Sequence, residues 1–121
     1  MSDYTYDARV VSVHDGDTVT LDVDLGFKVF ARLPIRLIGI NAPEMNTEAG
    51  KTSRSKLIEL IPDGSRVSLV SEKDRADKYG GRWLGRIFPV SRGTKTYQSV
   101  NDWMVEKGLA RAWDGKGKKP V

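Results

Sequence analysis

Residues 17–25 form a strictly alternating run, and this pattern gives the strongest prediction about the fold. Its apolar members are Val19, Leu21, Val23 and Leu25. Its polar members are Thr18, Thr20, Asp22 and Asp24. Because successive side chains of a strand point to opposite faces, this period of two predicts a strand with one buried face. Asp17 has the parity of the apolar residues, so a carboxylate begins the inward-facing series. A buried carboxylate needs a metal ion, an arginine or hydrogen-bond donors to offset its desolvation.

Two further strands flank this run. Residues 4–13 are rich in β-branched and aromatic residues, and the turn signal Asp15-Gly16 joins them to the alternating segment. Residues 27–40 follow a second turn at Gly26 and predict a long third strand. Pro34 lies inside it and lacks a backbone N–H, so we expect a bulge or bend there. Three consecutive strands predict a meander.

The rest of the chain predicts two helices and two more strands. Each helix begins at a residue that can cap its first turn and ends at a residue that disfavours continuation. The predicted bounds, in chain order, are a helix from Asn46 or Thr47 to about Ile61, strands at 65–71 and 82–90, and a helix from Ser99 to Gly108. The order βββ-α-ββ-α indicates a five-stranded OB-fold barrel with helices, an α+β architecture.

One domain is expected to span residues 1–121, with 114–121 as a flexible basic tail. No linker or internal repeat divides the chain. No apolar run is long enough for a transmembrane helix, and no basic and apolar leader opens the chain. We therefore expect a cytoplasmic monomer with no membrane partner, while secretion of a processed form stays open.

Composition restricts the chemistry. The chain has no cysteine and one histidine, His14, which excludes disulfides, thiol nucleophiles and sites that need two imidazoles. Any reaction must use carboxylates, arginines, lysines and hydroxyls. The net charge of +4 is compatible with a polyanionic partner but does not require one. His14 and the three tryptophans are interpreted as surface or packing residues.

The segment from Arg36 to Glu44 combines a basic side chain with oxygen ligands. An arginine among aliphatic strand residues suits either bidentate contact with a phosphate or an ion pair with Asp17. Residues 41–44 then offer an amide oxygen, a backbone carbonyl and a carboxylate, which suit a hard cation such as calcium or magnesium. The spacing does not fit an EF-hand loop, so such a site would have to assemble from separate strands.

A third segment, residues 77–82, joins paired glycines to basic and aromatic side chains. Gly80 and Gly81 allow close backbone approach, and the flanking Lys78, Tyr79 and Arg82 could hold phosphate and stack a base. A decorated hairpin turn would have the same composition, so both interpretations stay open.

In combination and in this order, the segments resemble the staphylococcal nuclease (thermonuclease) family over roughly residues 8–112. The strings that carry the resemblance are Asp15-Gly16-Asp17-Thr18-Val19, then 36–44 (Arg-Leu-Ile-Gly-Ile-Asn-Ala-Pro-Glu), then 77–82 (Asp-Lys-Tyr-Gly-Gly-Arg), with Val100-Asn101 and Gly108-Leu109-Ala110 in the last helical region. The resemblance implies an OB-fold nuclease that hydrolyses DNA and RNA with calcium and leaves 3′-phosphate ends. Magnesium or manganese are the alternative ions.

The resemblance also implies roles for individual residues. The implied metal ligands are Asp17, Asn41 and the backbone carbonyl of Ala42. The implied catalytic residues are Glu44 as general base, with Arg36 and Arg82 holding the phosphoryl oxygens, and the implied nucleotide-contacting residues are Lys78 and Tyr79.

The chain departs from the family pattern at several positions. Asn41 stands where the second metal carboxylate is usual, which predicts weaker metal binding. Gly81 is one residue more than the usual loop, so Arg82 is the best match to the second arginine and Arg86 the fallback. The tail lacks the family's aromatic pair beyond the last helix. A catalytically weak or inactive OB-fold module that binds nucleic acid is therefore the alternative function.

Overall fold

The computed structural model describes residues 4–76, 82–91, 94–95 and 98–113. Its elements, in chain order, are strands β1 (Tyr4–Asp15), β2 (Thr18–Asp24), β3 (Phe30–Leu37) and β4 (Ile40–Asn41), helix α1 (Glu48–Leu60), strands β5 (Arg66–Ala76), β6 (Trp83–Ser91) and β7 (Thr94–Lys95), helix α2 (Val100–Glu106) and strand β8 (Arg111–Ala112). Lys78, Tyr79 and the predicted tail at 114–121 lie outside the described residues.

Five strands close into a mixed barrel. They follow the order β3-β2-β1-β5-β6, and parallel pairing of Ile35–Leu37 with Trp83–Gly85 joins the two outer strands. The other ladders of the barrel are antiparallel. This closed barrel with two helices confirms the predicted OB-fold architecture. A separate two-stranded sheet pairs β4 with β8.

The alternating run forms β2 as predicted and supplies one wall of the core. Val19, Leu21 and Val23 are buried, and the helices close the barrel with side chains that are also inaccessible to solvent. The helical members of the core are Leu57 of α1, Ile61 directly after it, and Val100 and Met104 of α2. Leu25 was predicted to continue the inward face, but it is 47% exposed because β2 ends at Asp24 and the chain turns away.

The third strand is shorter than predicted. β3 ends at Leu37, and a turn at residues 38–39, with Gly39 at φ +86°, separates it from β4. The expected bulge at Pro34 is absent, because the β2–β3 register runs without a shift through the pair Thr20–Pro34. The ladder to β6 begins only at Ile35, so the missing N–H of Pro34 removes no bond from it.

Both helices begin where their caps predict. The Thr47 side chain accepts a hydrogen bond from the backbone N–H of Gly50 at 3.0 Å, and Ser99 accepts one from Asp102 at 3.1 Å. Gly108, with φ +72°, follows the end of α2 as predicted. Among the described residues, no helix combines the length and apolar character that crossing a membrane requires.

Asn101 joins α2 to the barrel from a fully buried position. Its side-chain amide donates to the backbone carbonyls of Ile38 at 2.8 Å and Gly85 at 3.1 Å, and its oxygen accepts from the N–H of Ile87 at 3.2 Å. These three bonds hold the turn after β3 beside the middle of β6, close to the rim where the predicted site residues lie.

Candidate active site

A polar pocket of about 240 Å³ opens at the rim of the barrel. The β1–β2 turn, the end of β3, the loop after β4, the residue before β6 and the C-terminal segment form its walls. The side chains that line it are Asp15, Asp17, Arg36, Asn41, Ala42, Pro43, Glu44, Met45, Arg82 and Trp113. The structure therefore brings together the described metal and catalytic residues that the sequence predicted, although they come from four separate segments of the chain.

Asp17 lies at the base of this pocket, where it is almost completely buried. Its carboxylate accepts hydrogen bonds from the N–H of Ala42 at 2.9 Å and from the Thr18 hydroxyl at 3.2 Å. The same carboxylate is 3.3 Å from the guanidinium of Arg36. All three contacts stabilise negative charge.

The pKa of Asp17 is nevertheless raised to about 6, mainly by burial and also by a hydrogen bond with the Asp15 side chain, although Arg36 and the Ala42 N–H both act to lower it. Desolvation thus exceeds the stabilisation that the protein supplies. A bound cation would stabilise the ionised form of such a buried carboxylate.

Several contacts orient the Arg36 side chain. Its guanidinium donates to the carbonyl of Leu37 at 3.1 Å and reaches the amide oxygen of Asn41 at 3.4 Å. It also lies over the Trp113 ring, 5.9 Å from the ring centroid, which is within the range of a cation–π contact. Both uses predicted for Arg36 are compatible with this geometry, because it pairs with Asp17 while it lines the pocket.

Trp113 reaches the pocket through contacts that the sequence did not reveal. The two-residue strand β8 pairs with β4, placing Ala112 opposite Ile40 and Arg111 opposite Asn41. The N–H of Trp113 then donates to the carbonyl of Gly39 at 2.8 Å. Two-residue strands carry no periodic signal, so the contact between Trp113 and Arg36 could not have been found before the fold was known.

Glu44 is exposed at the pocket mouth, and the start of α1 fixes its backbone. Its carbonyl accepts hydrogen bonds from the Thr47 N–H at 3.0 Å and from the Thr47 hydroxyl at 2.6 Å. Gly50 packs directly against this carbonyl, and a Cβ at position 50 would overlap the Glu44 oxygen. Glycine is therefore required here by close approach.

The β1–β2 turn packs against α1 in the same way. A Cβ at Gly16 would overlap the hydroxyl of Ser53 and approach the Cβ of Ala42 to 2.8 Å. Two glycines, one in the turn and one in the helix, thus allow α1 to touch both the turn that carries Asp17 and the loop that carries Glu44.

Arg82 also lines the pocket, and its guanidinium donates to the Thr18 hydroxyl at 3.4 Å. Arg86, the fallback for the second arginine, instead forms an ion pair with Asp102 of α2 at 3.7 Å. It is not part of the pocket lining. The geometry favours Arg82 for a role in the pocket, while Lys78 and Tyr79 stay predictions because they lie outside the described residues.

The donors around the pocket fit a hard cation. Asp15, Asp17, Asn41 and Glu44 offer carboxylate and amide oxygens, and no thiolate or imidazole is among them. Within the described residues, no three His, Cys, Asp or Glu side chains cluster as a metal site. A cation held here would therefore depend on the amide of Asn41, backbone carbonyls and water as well as on Asp17.

A family model described as staphylococcal nuclease homologue matches residues 34–120. Protein ParB of Escherichia coli is 33% identical over 113 residues, which cover 91% of this chain and 59% of that protein. The micrococcal nuclease of Shigella flexneri is 31% identical over 113 residues, 91% of this chain and 60% of that protein. An uncharacterized endonuclease of E. coli O157:H7 is 29% identical over 113 residues, 93% of this chain and 65% of that protein.

The chain thus spans about six-tenths of the length of these curated relatives. The family model begins after Asp17 and includes Arg36, Asn41, Ala42, Glu44 and Arg82. Alignments that cover more than nine-tenths of the chain also include Asp17.

Proposed function

The chain belongs to the family of staphylococcal nuclease homologues, and from this we propose that it is a nuclease that hydrolyses phosphodiester bonds of DNA and RNA. We further propose that calcium is its metal, with magnesium or manganese as alternatives, and that its products carry 3′-phosphate ends. The observation that carries the proposal is the convergence of Asp17, Arg36, Glu44 and Arg82 on one pocket. Relatives named as a micrococcal nuclease and an endonuclease support the same activity.

Arg36 and Arg82 hold the phosphoryl oxygens of the scissile phosphodiester. Attack on phosphorus places further negative charge on these oxygens, so two fixed guanidinium groups stabilise the transition state more than the ground state. Arg36 is oriented before substrate arrives, because Leu37 and Trp113 hold it. One well-placed donor of this kind contributes roughly 3 to 4 kcal/mol.

Glu44 accepts the proton of the attacking water. Its carboxylate is exposed to solvent at the pocket mouth, and its backbone is fixed by Thr47. A general base in hydrogen-bond reach of water accelerates hydrolysis by about 10²- to 10⁴-fold. The reaction needs no histidine, which agrees with a composition that contains only His14.

Asp17, Asn41 and the carbonyl of Ala42 are the groups that would hold the cation. A divalent ion supplies Lewis acidity at the phosphoryl oxygens and makes bound water more acidic. The protein's own contribution is a buried carboxylate that lacks full compensation and a rim of oxygen donors. With Asn41, this set of oxygen donors has one negative charge fewer than it would have with an aspartate at that position. For this reason an inactive module that binds nucleic acid stays the alternative function.

Cleavage of single-stranded DNA, duplex DNA and RNA by the purified chain tests the proposal. Calcium, magnesium, manganese and EDTA are compared, and the product ends are assayed for 3′-phosphate. Glu44→Gln should lower turnover by about 10²-fold or more and leave the dissociation constant for substrate nearly unchanged. Arg82→Ala should abolish cleavage and serves as the control for a contaminating nuclease.

Glu48→Gln is the matched control, because Glu48 is an exposed carboxylate four residues away that does not line the pocket. It should leave turnover unchanged. Binding of DNA by the wild-type chain without cleavage under any metal would support the inactive module instead. Equal losses of binding and turnover in Glu44→Gln would count against the role of Glu44 as a base.

A further inference from the structure

The turn between β2 and β3 exposes a cluster of large apolar side chains. Leu25 is 47% exposed, Phe27 99%, Val29 52% and Phe30 63%, and in the described part of the chain Tyr4 is the remaining large apolar side chain of this kind. Apolar residues concentrated at one exposed place mark a site of interaction. We refer to residues 25–30 as the hairpin tip.

The hairpin tip is an ordered turn with an unfavourable backbone. Val29 donates to the carbonyl of Gly26 at 2.9 Å, so Phe27 and Lys28 are the two central residues of a tight turn. Both have positive φ, 55° and 62°, a conformation that Gly and Asn adopt far more readily than Phe or Lys. A strained turn that carries an almost fully exposed phenylalanine points to a function for that side chain.

The hairpin tip is continuous with the candidate active site. Strand pairing places Asp24 opposite Phe30 at one end of the β2–β3 hairpin and Thr18 opposite Arg36 at the other. Because side chains alternate, Phe30 and Arg36 belong to the same face of β3, with Arg32 and Pro34 between them. This outward face of β2 and β3 spans roughly 20 Å from the pocket to the hairpin tip.

The charges on this face nearly cancel. Arg32 forms a two-bond ion pair with Asp22, at 2.8 and 3.0 Å. Asp24 accepts a hydrogen bond from the N–H of Gly26 at 2.8 Å, and Lys28 lies at the turn itself. Such a face offers little net attraction for phosphate, so a ligand would be held here mainly by contact with its apolar parts.

We propose that this face guides single-stranded nucleic acid away from the pocket and that Phe27 and Phe30 stack on its bases. The proposal rests on the proposed nuclease function, because continuity with the pocket identifies the occupant. Aromatic side chains on an OB fold bind single strands without sequence preference, since every base has a π face. Paired bases of a duplex do not offer those faces, so the hairpin tip favours single-stranded substrate.

The test is binding of fluorescent single-stranded DNA in EDTA, which prevents metal-dependent cleavage. Oligonucleotides of about 2 to about 16 nucleotides cover the range of OB-fold site sizes. The double variant Phe27→Ala with Phe30→Ala should weaken binding of the longest strands by about 10-fold or more and leave that of the dinucleotide unchanged. The salt dependence of binding should stay the same, because no charge is removed.

Two matched variants separate stacking from general apolar contact. Leu25→Ala removes exposed apolar surface from the same hairpin tip without removing a ring, and it should have little effect. Phe27→Trp keeps an aromatic face and should retain the affinity of the wild type for long strands. Equal weakening by Leu25→Ala would overturn base stacking.

The outcomes distinguish this proposal from the proposed function. Cleavage by the wild type together with unchanged long-strand binding in the double variant would overturn the single-strand face and leave the nuclease intact. Binding that depends on strand length and needs both phenylalanines, without any cleavage, would support the proposed single-strand face. It would refute the proposed nuclease function. A dimer in sedimentation that the double variant abolishes, with unaltered DNA binding, would show that the hairpin tip binds a second copy and overturn the proposal.

Discussion

At the scale of single residues, the pocket is defined by what surrounds Asp17. Its carboxylate has an arginine, a backbone N–H and a hydroxyl as partners, yet burial still raises its pKa to about 6. Asn41 lines the same pocket and has an amide where the family resemblance predicts a carboxylate. If the proposed function is right, these two positions would set how strongly a cation is held.

Asn41→Asp should tighten calcium binding, because it restores a negative charge beside Asp17. We expect a gain of roughly tenfold, about 1.4 kcal/mol, by isothermal titration calorimetry. Asn46→Asp adds the same charge at an exposed position outside the pocket lining and should change the affinity little. An affinity that Asn41→Asp leaves unaltered would show that Asn41 is not a ligand.

The raised pKa of Asp17 predicts how calcium binding depends on pH. Below about pH 6 the folded protein holds a proton on this carboxyl group, and a cation must displace it. The apparent calcium affinity should therefore fall by about tenfold per pH unit below 6 and be nearly constant above 7. Titrations from pH 5 to pH 8 check this, and an affinity that is constant down to pH 5 would contradict it.

The same shift has a consequence for the metal-free fold. Because the folded pKa lies above the unfolded value of 3.8, the folded state binds the proton more tightly. The contribution of Asp17 to the free energy of unfolding is thus fully present below about pH 4 and is lost as the pH rises through 6. A bound cation would remove this penalty at neutral pH, since it stabilises the ionised form.

At the scale of elements, α1 is the support on which the pocket loops rest. Its N-terminal turn fixes the Glu44 carbonyl through Thr47 and Gly50, and its second turn contacts Gly16 through Ser53. Neither contact involves a catalytic side chain. The helix therefore determines where Asp17 and Glu44 lie through close backbone packing.

Gly50→Ala should lower turnover by about 10²-fold, because the added Cβ displaces the backbone of Glu44 and a shift of about 1 Å at a reacting group has this effect. Helix propensity alone would favour alanine by about 1 kcal/mol, so helix formation is not the cause of the loss. Ser55→Ala, at an exposed position of the same helix, is the control and should leave turnover unchanged. Full activity of Gly50→Ala would show that the loop tolerates displacement.

The helix boundaries could be predicted because their signals are local. Thr47 and Ser99 cap the helices through hydrogen bonds within three residues, and Gly108 ends α2 in the left-handed conformation that glycine allows. The end of β3 and the short strands β4 and β8 could not be predicted. They depend on pairing with segments far away in the chain, which a local pattern does not record.

At the scale of the whole molecule, barrel closure and the C-terminal segment assemble the pocket. Parallel pairing of β3 with β6 places Arg36 opposite Leu84, and Arg82 directly precedes β6. Pairing of β4 with β8 places Trp113 beside Arg36. Asn101 links α2 to both β6 and the turn after β3, so the helix reinforces the same junction.

The predicted basic tail at residues 114–121 is expected to add to the electrostatic attraction between the protein and DNA. Replacing Lys116, Lys118 and Lys119 with alanine should reduce the dependence of single-stranded DNA affinity on salt, by up to about 2 in the slope of log K against log salt. The double variant Lys56→Ala with Lys107→Ala is the control, because these lysines line a separate cleft between α1 and α2. A slope that the tail substitutions do not alter would mean that the tail makes no phosphate contact.

Local periodicity and residue chemistry were enough to predict several parts of this protein. The alternation of residues 17–25 predicted β2, capping residues predicted both helices, and the absence of cysteine with a single histidine restricted the chemistry to carboxylates, arginines, lysines and hydroxyls. The ordered motifs indicated the family that the comparison of sequences then showed.

The way in which these groups meet depends on the packing of the folded chain. The choice between Arg82 and Arg86 depended on which guanidinium faces the pocket, and the contact of Trp113 with Arg36 depended on a two-residue ladder. The need for glycine at position 50 arose from a backbone that passes against it. In each case the physical reason is the same: distance and burial between segments that are remote in the chain follow from packing, and no local pattern specifies them.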